Sequence, residues 1–83
     1  MLTYPLNKES GRSLYEQLYE GIRRDILSGT LPAHQRLPSK RALAQHLEVS
    51  IITVQNAYEQ LAAEGLLTQA ELEGARVAPS DTI

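Results

Sequence analysis

Residues 39–65 read SKRALAQHLEVSIITVQNAYEQLAAEG and hold two helical patterns that meet at a very short break. The first pattern places Ala42, Leu43, Ala44 and Leu47 on helical spacing. Ser39, after Pro38, is the expected N-cap, because its hydroxyl can accept a hydrogen bond from a free amide of the first turn. Glu48, Val49 and Ser50 form the break. Ser50 then caps a second, longer helix expected to run through Glu64, with Gly65 at the left-handed position that stops it. In that helix Val54, Ala57, Tyr58 and Leu61 fall at i, i+3, i+4 and i+7, which makes one apolar stripe. A short helix, a three-residue turn and a longer helix form the organisation of a helix-turn-helix. Its second helix ordinarily enters the DNA major groove.

A plain helical hairpin in a small bundle fits the caps and the spacing equally well. The surface outside the apolar stripe favours the DNA reading. Ser50, Thr53, Gln55 and Asn56 are short or amide-bearing groups at the start of the second helix. Hydroxyls suit phosphate oxygens, and Gln and Asn can each pair bidentately with an adenine edge. Lys40 and Arg41 begin the first helix, where a charge can reach the DNA backbone.

The chain of 83 residues is expected to make one domain. A chain this short buries only about 60% of the surface of its unfolded form, enough for one small core without a deep cleft. There is no cysteine, hence no disulfide framework and no thiolate zinc site. His34 and His46 have no obvious third ligand, so no metal site is expected. No apolar run is long enough for a membrane span, and the N-terminus lacks a signal-peptide pattern, which together predict a cytoplasmic chain with no membrane partner. No Ser/His/Asp set, phosphate-cradling glycine loop or metal-ligand spacing is present, so no catalytic residues are assigned.

The formal net charge of −2 runs against the basic balance usual for nucleic-acid binders. Its distribution is uneven. Arg23, Arg24, Arg36, Lys40 and Arg41 lie in a stretch with one acid, Asp25. From Glu48 to Glu73 there are five acids and no lysine or arginine. Positive surface lies upstream of the candidate recognition helix and negative surface on and after it.

Residues 1–12 are polar, carry Pro5 and Gly11, and predict an extended arm. Ser13 and Glu16 form a capping box. The helix they open carries Leu14, Leu18, Ile22 and Ile26 as a core-facing ladder, with Gly29 at its end. Gly21 inside it lowers helix propensity by roughly 1 kcal/mol and suggests a close helix crossing. Thr30–Pro38 reads as a connector anchored by Leu31 and Leu37, with a very short edge strand at Arg36–Pro38 that Pro38 ends. Residues 66–69 and 75–78 read as two strands of a small hairpin, with a turn signal at Glu73-Gly74. A turn of helix over residues 70–73 is the alternative. The fold class is therefore mainly α with a small β-hairpin: a winged helix-turn-helix of three helices plus a wing. The divisions are an arm at 1–12, a DNA-binding domain at 13–78, and a tail or linker start at 79–83. The expected core is Leu14, Leu18, Ile22, Ile26, Leu31, Leu37, Leu43, Leu47, Val49, Val54, Tyr58, Leu61 and Leu66.

Several spaced motifs then carry a family resemblance: Leu14-Tyr15-Glu16-Gln17-Leu18, Ile26-Leu27-Ser28-Gly29-Thr30-Leu31, Arg36-Leu37-Pro38-Ser39-Lys40-Arg41-Ala42-Leu43-Ala44, Val49-Ser50 with Thr53-Val54, Ala57-Tyr58-Glu59-Gln60-Leu61 and Glu64-Gly65-Leu66-Leu67. Over residues 13–68 the chain resembles the N-terminal winged-helix domain of GntR-family bacterial transcription regulators. Ala57-Tyr58 and Leu14-Tyr15-Glu16-Gln17 resemble the MocR branch most and the YtrA branch next. The resemblance implies a double-stranded DNA operator as partner and a homodimer in the full-length protein. In MocR-type proteins a linker leads to a large aminotransferase-fold domain that binds pyridoxal phosphate. That cofactor would belong to a domain outside this chain, so none is expected here.

Carried over by position, Arg41 matches a family arginine that contacts DNA. Ser39 and Lys40 sit where helix-start phosphate contacts are made. Ser50 and Thr53 match hydroxyls at the head of the recognition helix, and Gln55 occupies a recognition position often filled by arginine. Ile51, Ile52 and Asn56 complete the candidate DNA-binding set on a recognition helix at about 51–64. Three departures stand out. Ile51 replaces a usual arginine, although it can touch a thymine methyl. Glu48 replaces the usual glycine of the turn. Gln69-Ala70-Glu71-Leu72-Glu73-Gly74 replaces a wing with an arginine or a glycine pair, and its acids would repel phosphates. These departures define the alternative: a winged-helix protein-interaction module with weak or no DNA binding. In that alternative Ile51 and Ile52 form an apolar patch for a partner helix, unless Ile52 turns inward.

Overall fold

A serine opens each helix among the described residues. The computed structural model describes residues 2–70 and 74–79. In it α1 (Leu14–Ser28), α2 (Lys40–Leu47) and α3 (Ile51–Ala63) precede a hairpin of β1 (Leu67–Ala70) and β2 (Gly74–Val77). Ser13, Ser39 and Ser50 are the three N-caps, each extended and each accepting an amide hydrogen bond three residues on. Glu16 also reaches back at α1, accepting from the Ser13 hydroxyl at 2.9 Å.

The same device ends α2 and α3. At α3 the Gly65 amide donates to Ala62 O at 3.0 Å and the Leu66 amide to Leu61 O at 2.9 Å. At α2 the Glu48 amide donates to Gln45 O at 3.3 Å and the Val49 amide to Ala44 O at 3.0 Å. Both patterns need a left-handed residue, which is Gly65 at φ 78° in one case and Glu48 at φ 59° in the other. The helix-turn-helix bend therefore forms without its usual glycine.

The hairpin is antiparallel, with Leu67 opposite Val77 and Ala70 opposite Gly74. Each strand lies one residue from its expected place. The connector adds a third rung. Val77 donates to Gln35 O, Leu37 donates to Ala75 O, both at 2.9 Å, and Arg36 bridges Arg76. Pro38 then ends the pairing because it has no amide proton. Residues 71–73, with the acidic wing Glu71 and Glu73, lie outside the described residues, as do 80–83 of the expected tail.

The core is Leu18, Ile22, Leu31, Leu37, Leu43, Ala44, Val54, Ala57, Tyr58, Leu61, Leu67, Ala75 and Val77. Ile26, Leu47, Val49 and Leu66, expected inside, are half-buried against it. Leu14, the first residue of α1, is half-buried and outside the cluster. The hairpin supplies Ala75 and Val77, which alternate inward along β2. Tyr19 donates to Glu64 Oε2 at 2.6 Å and holds α1 against the end of α3.

Residues 2–6 correct one expectation. Leu2, Tyr4 and Leu6 alternate and pack against the core. The Tyr4 hydroxyl donates to Asp25 Oδ2 at 2.7 Å. Its ring lies on Gly21, where a Cβ would come within 2.7 Å of Tyr4 Cδ1. The close approach predicted at Gly21 is therefore to this ring rather than to another helix.

Candidate nucleic-acid interface

The buried stripe of α3 decides what its other side presents. Val54, Ala57, Tyr58 and Leu61 all point into the core. Ile51, Ile52 and Asn56 are left exposed, and Thr53 and Gln55 are half-buried. Ile52 is 59% exposed and Ile51 is 42% exposed, so Ile52 does not turn inward. Ser50 Oγ accepts from the Thr53 amide at 3.1 Å and shares a 2.9 Å hydrogen bond with Thr53 Oγ1. The Gln55 amide donates to Glu59 Oε2 at 3.1 Å, which holds its nitrogen toward the next turn. Reading a base with that amide requires breaking this exposed bond.

The start of α2 is set by α3. The Tyr58 hydroxyl donates to Pro38 O at 2.8 Å. The next residue, Ser39, accepts from the Ala42 amide at 3.1 Å. Arg41 is exposed and Lys40 half-buried. Lys40, Ser39, Gln69 and Gly74 line one cleft, so the start of α2 and the root of the wing share a surface. Sequence reasoning placed Tyr58 in the core but missed this positioning bond, since a stripe position reveals nothing about where a hydroxyl ends. Burial raises the Tyr58 phenol well above its ordinary value, so it remains a neutral donor.

Among the described residues, the ion pairs are Arg12–Glu20 and Arg23–Glu64. Lys40 and Arg41 enter neither, so their charges face solvent or an incoming anion. No group of three potential metal ligands occurs among the described residues. His46 Nε2 shares a 2.8 Å hydrogen bond with Thr3 Oγ1. Among those residues no helix is long and apolar enough to cross a membrane. The site thus offers hydroxyls, amides, two isoleucines and two cations that no ion pair among the described residues engages, on adjoining helix starts, a set suited to recognition.

Comparison with known proteins agrees with this geometry. Residues 14–77 match the family described as bacterial regulatory proteins, gntR family. A probable rhizopine catabolism regulatory protein, MocR, of Rhizobium meliloti is 40% identical over 80 residues, covering 94% of this chain and 16% of that protein. The structure of YtrA from Sulfolobus acidocaldarius, a GntR-family transcription factor, superposes with a TM-score of 0.85 at 32% identity, over 92% of this chain and 80% of that one. AraR(DBD) in complex with operator ORE1 superposes with a TM-score of 0.76 at 31% identity, over 94% of this chain and 95% of that one. The chain spans 13% to 16% of the length of three curated relatives it matches. The winged helix-turn-helix described above belongs to the GntR family of bacterial regulatory proteins.

Proposed function

We propose that this chain is the DNA-binding domain of a bacterial transcription regulator, with α3 in the major groove of an operator. The exposed start of α3 beside the exposed start of α2 is the observation that carries this reading. Ser50, Ile51, Ile52, Thr53, Gln55 and Asn56 face base edges and phosphates from α3. Ser39, Lys40 and Arg41 hold the backbone from α2. The operator complex of AraR(DBD) supports the docking mode by likeness. The likeness to the Rhizobium meliloti MocR protein supports the MocR branch. On that branch pyridoxal phosphate is held outside this chain, and the whole protein binds as a homodimer to two half-sites about one helical turn apart. Such a regulator works in the cytoplasm, where its operator is.

Fluorescence anisotropy against duplexes from the region upstream of the adjacent operon tests the reading. Binding should weaken steeply with salt, since phosphate contacts release counterions. Arg41→Ala should weaken binding to every sequence alike, and Gln55→Ala should cost about 1–3 kcal/mol on the cognate site only. Affinity that ignores salt contradicts the reading.

The exposure of both isoleucines favours a second reading, a protein-interaction module. A pull-down that recovers a protein partner, with no DNA retained at low salt, would select it.

A further inference from the structure

We infer that Arg36 and Arg76 form a second phosphate contact on the outer face of the wing sheet, which extends the DNA interface; this rests on the DNA-binding reading above. The Leu37 amide donates to Ala75 O and the Val77 amide to Gln35 O, so the hydrogen bonds flank the Arg36–Arg76 pair instead of joining it. In an antiparallel sheet that arrangement brings opposite residues closest, with Cα atoms about 4.5 Å apart and side chains on one face. Thr68 stands opposite Arg76 on the other side. Arg36, Arg76 and Thr68 thus form a row across three runs of chain. Their neighbours Leu37, Ala75, Val77 and Leu67 turn the other way, into the core.

Like charges directly opposite each other repel. Nothing among the described residues relieves this pair, because the ion pairs there are Arg12–Glu20 and Arg23–Glu64. Arg76 Nη1 donates to His34 O at 3.3 Å, which orients the guanidinium without neutralising it. Arg36 is exposed. Two aligned guanidiniums with no counter-charge among the described residues suit an anion from outside, and their forked donors match phosphate oxygens. Continuity points to the DNA backbone as that anion. Only Leu37 and Pro38 separate Arg36 from the Ser39 cap. Three extended residues span at most about 10 Å, so Arg36 lies within side-chain reach of phosphates next to those facing α2.

The test is the salt dependence of anisotropy for the 83-residue chain on a labelled mixed-sequence duplex. Each phosphate neutralised contributes about −0.9 to the slope of log K against log salt. Arg36→Gln with Arg76→Gln should shallow the slope by about 1.8 and weaken binding roughly eightfold per arginine at 0.1 M salt. Its Tm should not fall, since the repulsion is removed. Arg36→Lys with Arg76→Lys should keep the slope. A glutamine double variant with the wild-type slope overturns the inference and points to an acidic protein surface instead. So does a lysine double variant that loses the slope. A wild-type chain that binds no duplex at low salt overturns the DNA-binding reading itself, and the inference with it.

Discussion

The Tyr58 hydroxyl on α3 donates a 2.8 Å hydrogen bond to the carbonyl oxygen of Pro38, the residue before the cap of α2. The ring is 1% exposed, so its oxygen has no water to fall back on. One buried phenol therefore sets the start of α2 relative to the recognition helix. Tyr58→Phe would leave the Pro38 carbonyl without its partner and cost about 1–3 kcal/mol. Urea unfolding should show a lower midpoint with the same slope. An unchanged midpoint would mean that water or a shifted donor replaces the bond.

Glu48 occupies the left-handed region at φ 59°, where a Cβ costs roughly 1–2 kcal/mol. Glu48→Gly relieves that strain but loosens the unfolded chain by about 0.5–1 kcal/mol. The net expectation is a gain of up to about 1.5 kcal/mol in the urea midpoint analysis. A loss of stability would show that the glutamate side chain contributes more than its backbone costs.

Gly21 and Tyr4 should be energetically coupled. An added Cβ at Gly21 would sit 2.7 Å from the Tyr4 ring. In the Tyr4→Ala background, Gly21→Ala should stabilise by about 1 kcal/mol through helix propensity. In the wild type the same change should displace residues 2–6 and give no such gain. Equal effects in both backgrounds would show that the ring does not rest there.

Alkaline pH should destabilise the fold through two tyrosines. Burial first, and for Tyr4 the hydrogen bond to Asp25 next, raise both phenols well above their ordinary value near 10. A raised folded pKa gives stability that is complete below the unfolded pKa and lost as pH rises toward the folded one. Stability should therefore hold up to about pH 10 and fall above it, by about 1.4 kcal/mol per pH unit for buried Tyr58. Tyr58→Phe should flatten the profile between about pH 10 and 12. A profile that the substitution leaves unchanged contradicts the assignment.

Helix starts are legible in this sequence because a serine hydroxyl serves one purpose at Ser13, Ser39 and Ser50, and that purpose is local. The stripe of α3 is legible for the same reason, since its period needs no knowledge of the partner. What depends on distant chain is not legible. Leu2, Tyr4 and Leu6 read as an arm because their alternation matters only when α1 offers Gly21 opposite. Ala75 joins the core through β-pairing, which its small side chain does not announce. Ile52 could have turned either way, and only the packed orientation of Val54 and Tyr58 sends it outward. At the candidate site, residue types are legible but their engagements are not: nothing in the spacing ties Gln55 to Glu59 or Tyr58 to Pro38.

One measurement addresses the central claim directly, the amide chemical-shift map of the chain titrated with an operator duplex. The structure predicts that shifts concentrate at Ser39–Arg41 and Ser50–Asn56, with the opposite surface of α1 around Leu27 silent. Shifts confined to α1, with Ser50–Asn56 unmoved at saturation, would contradict it.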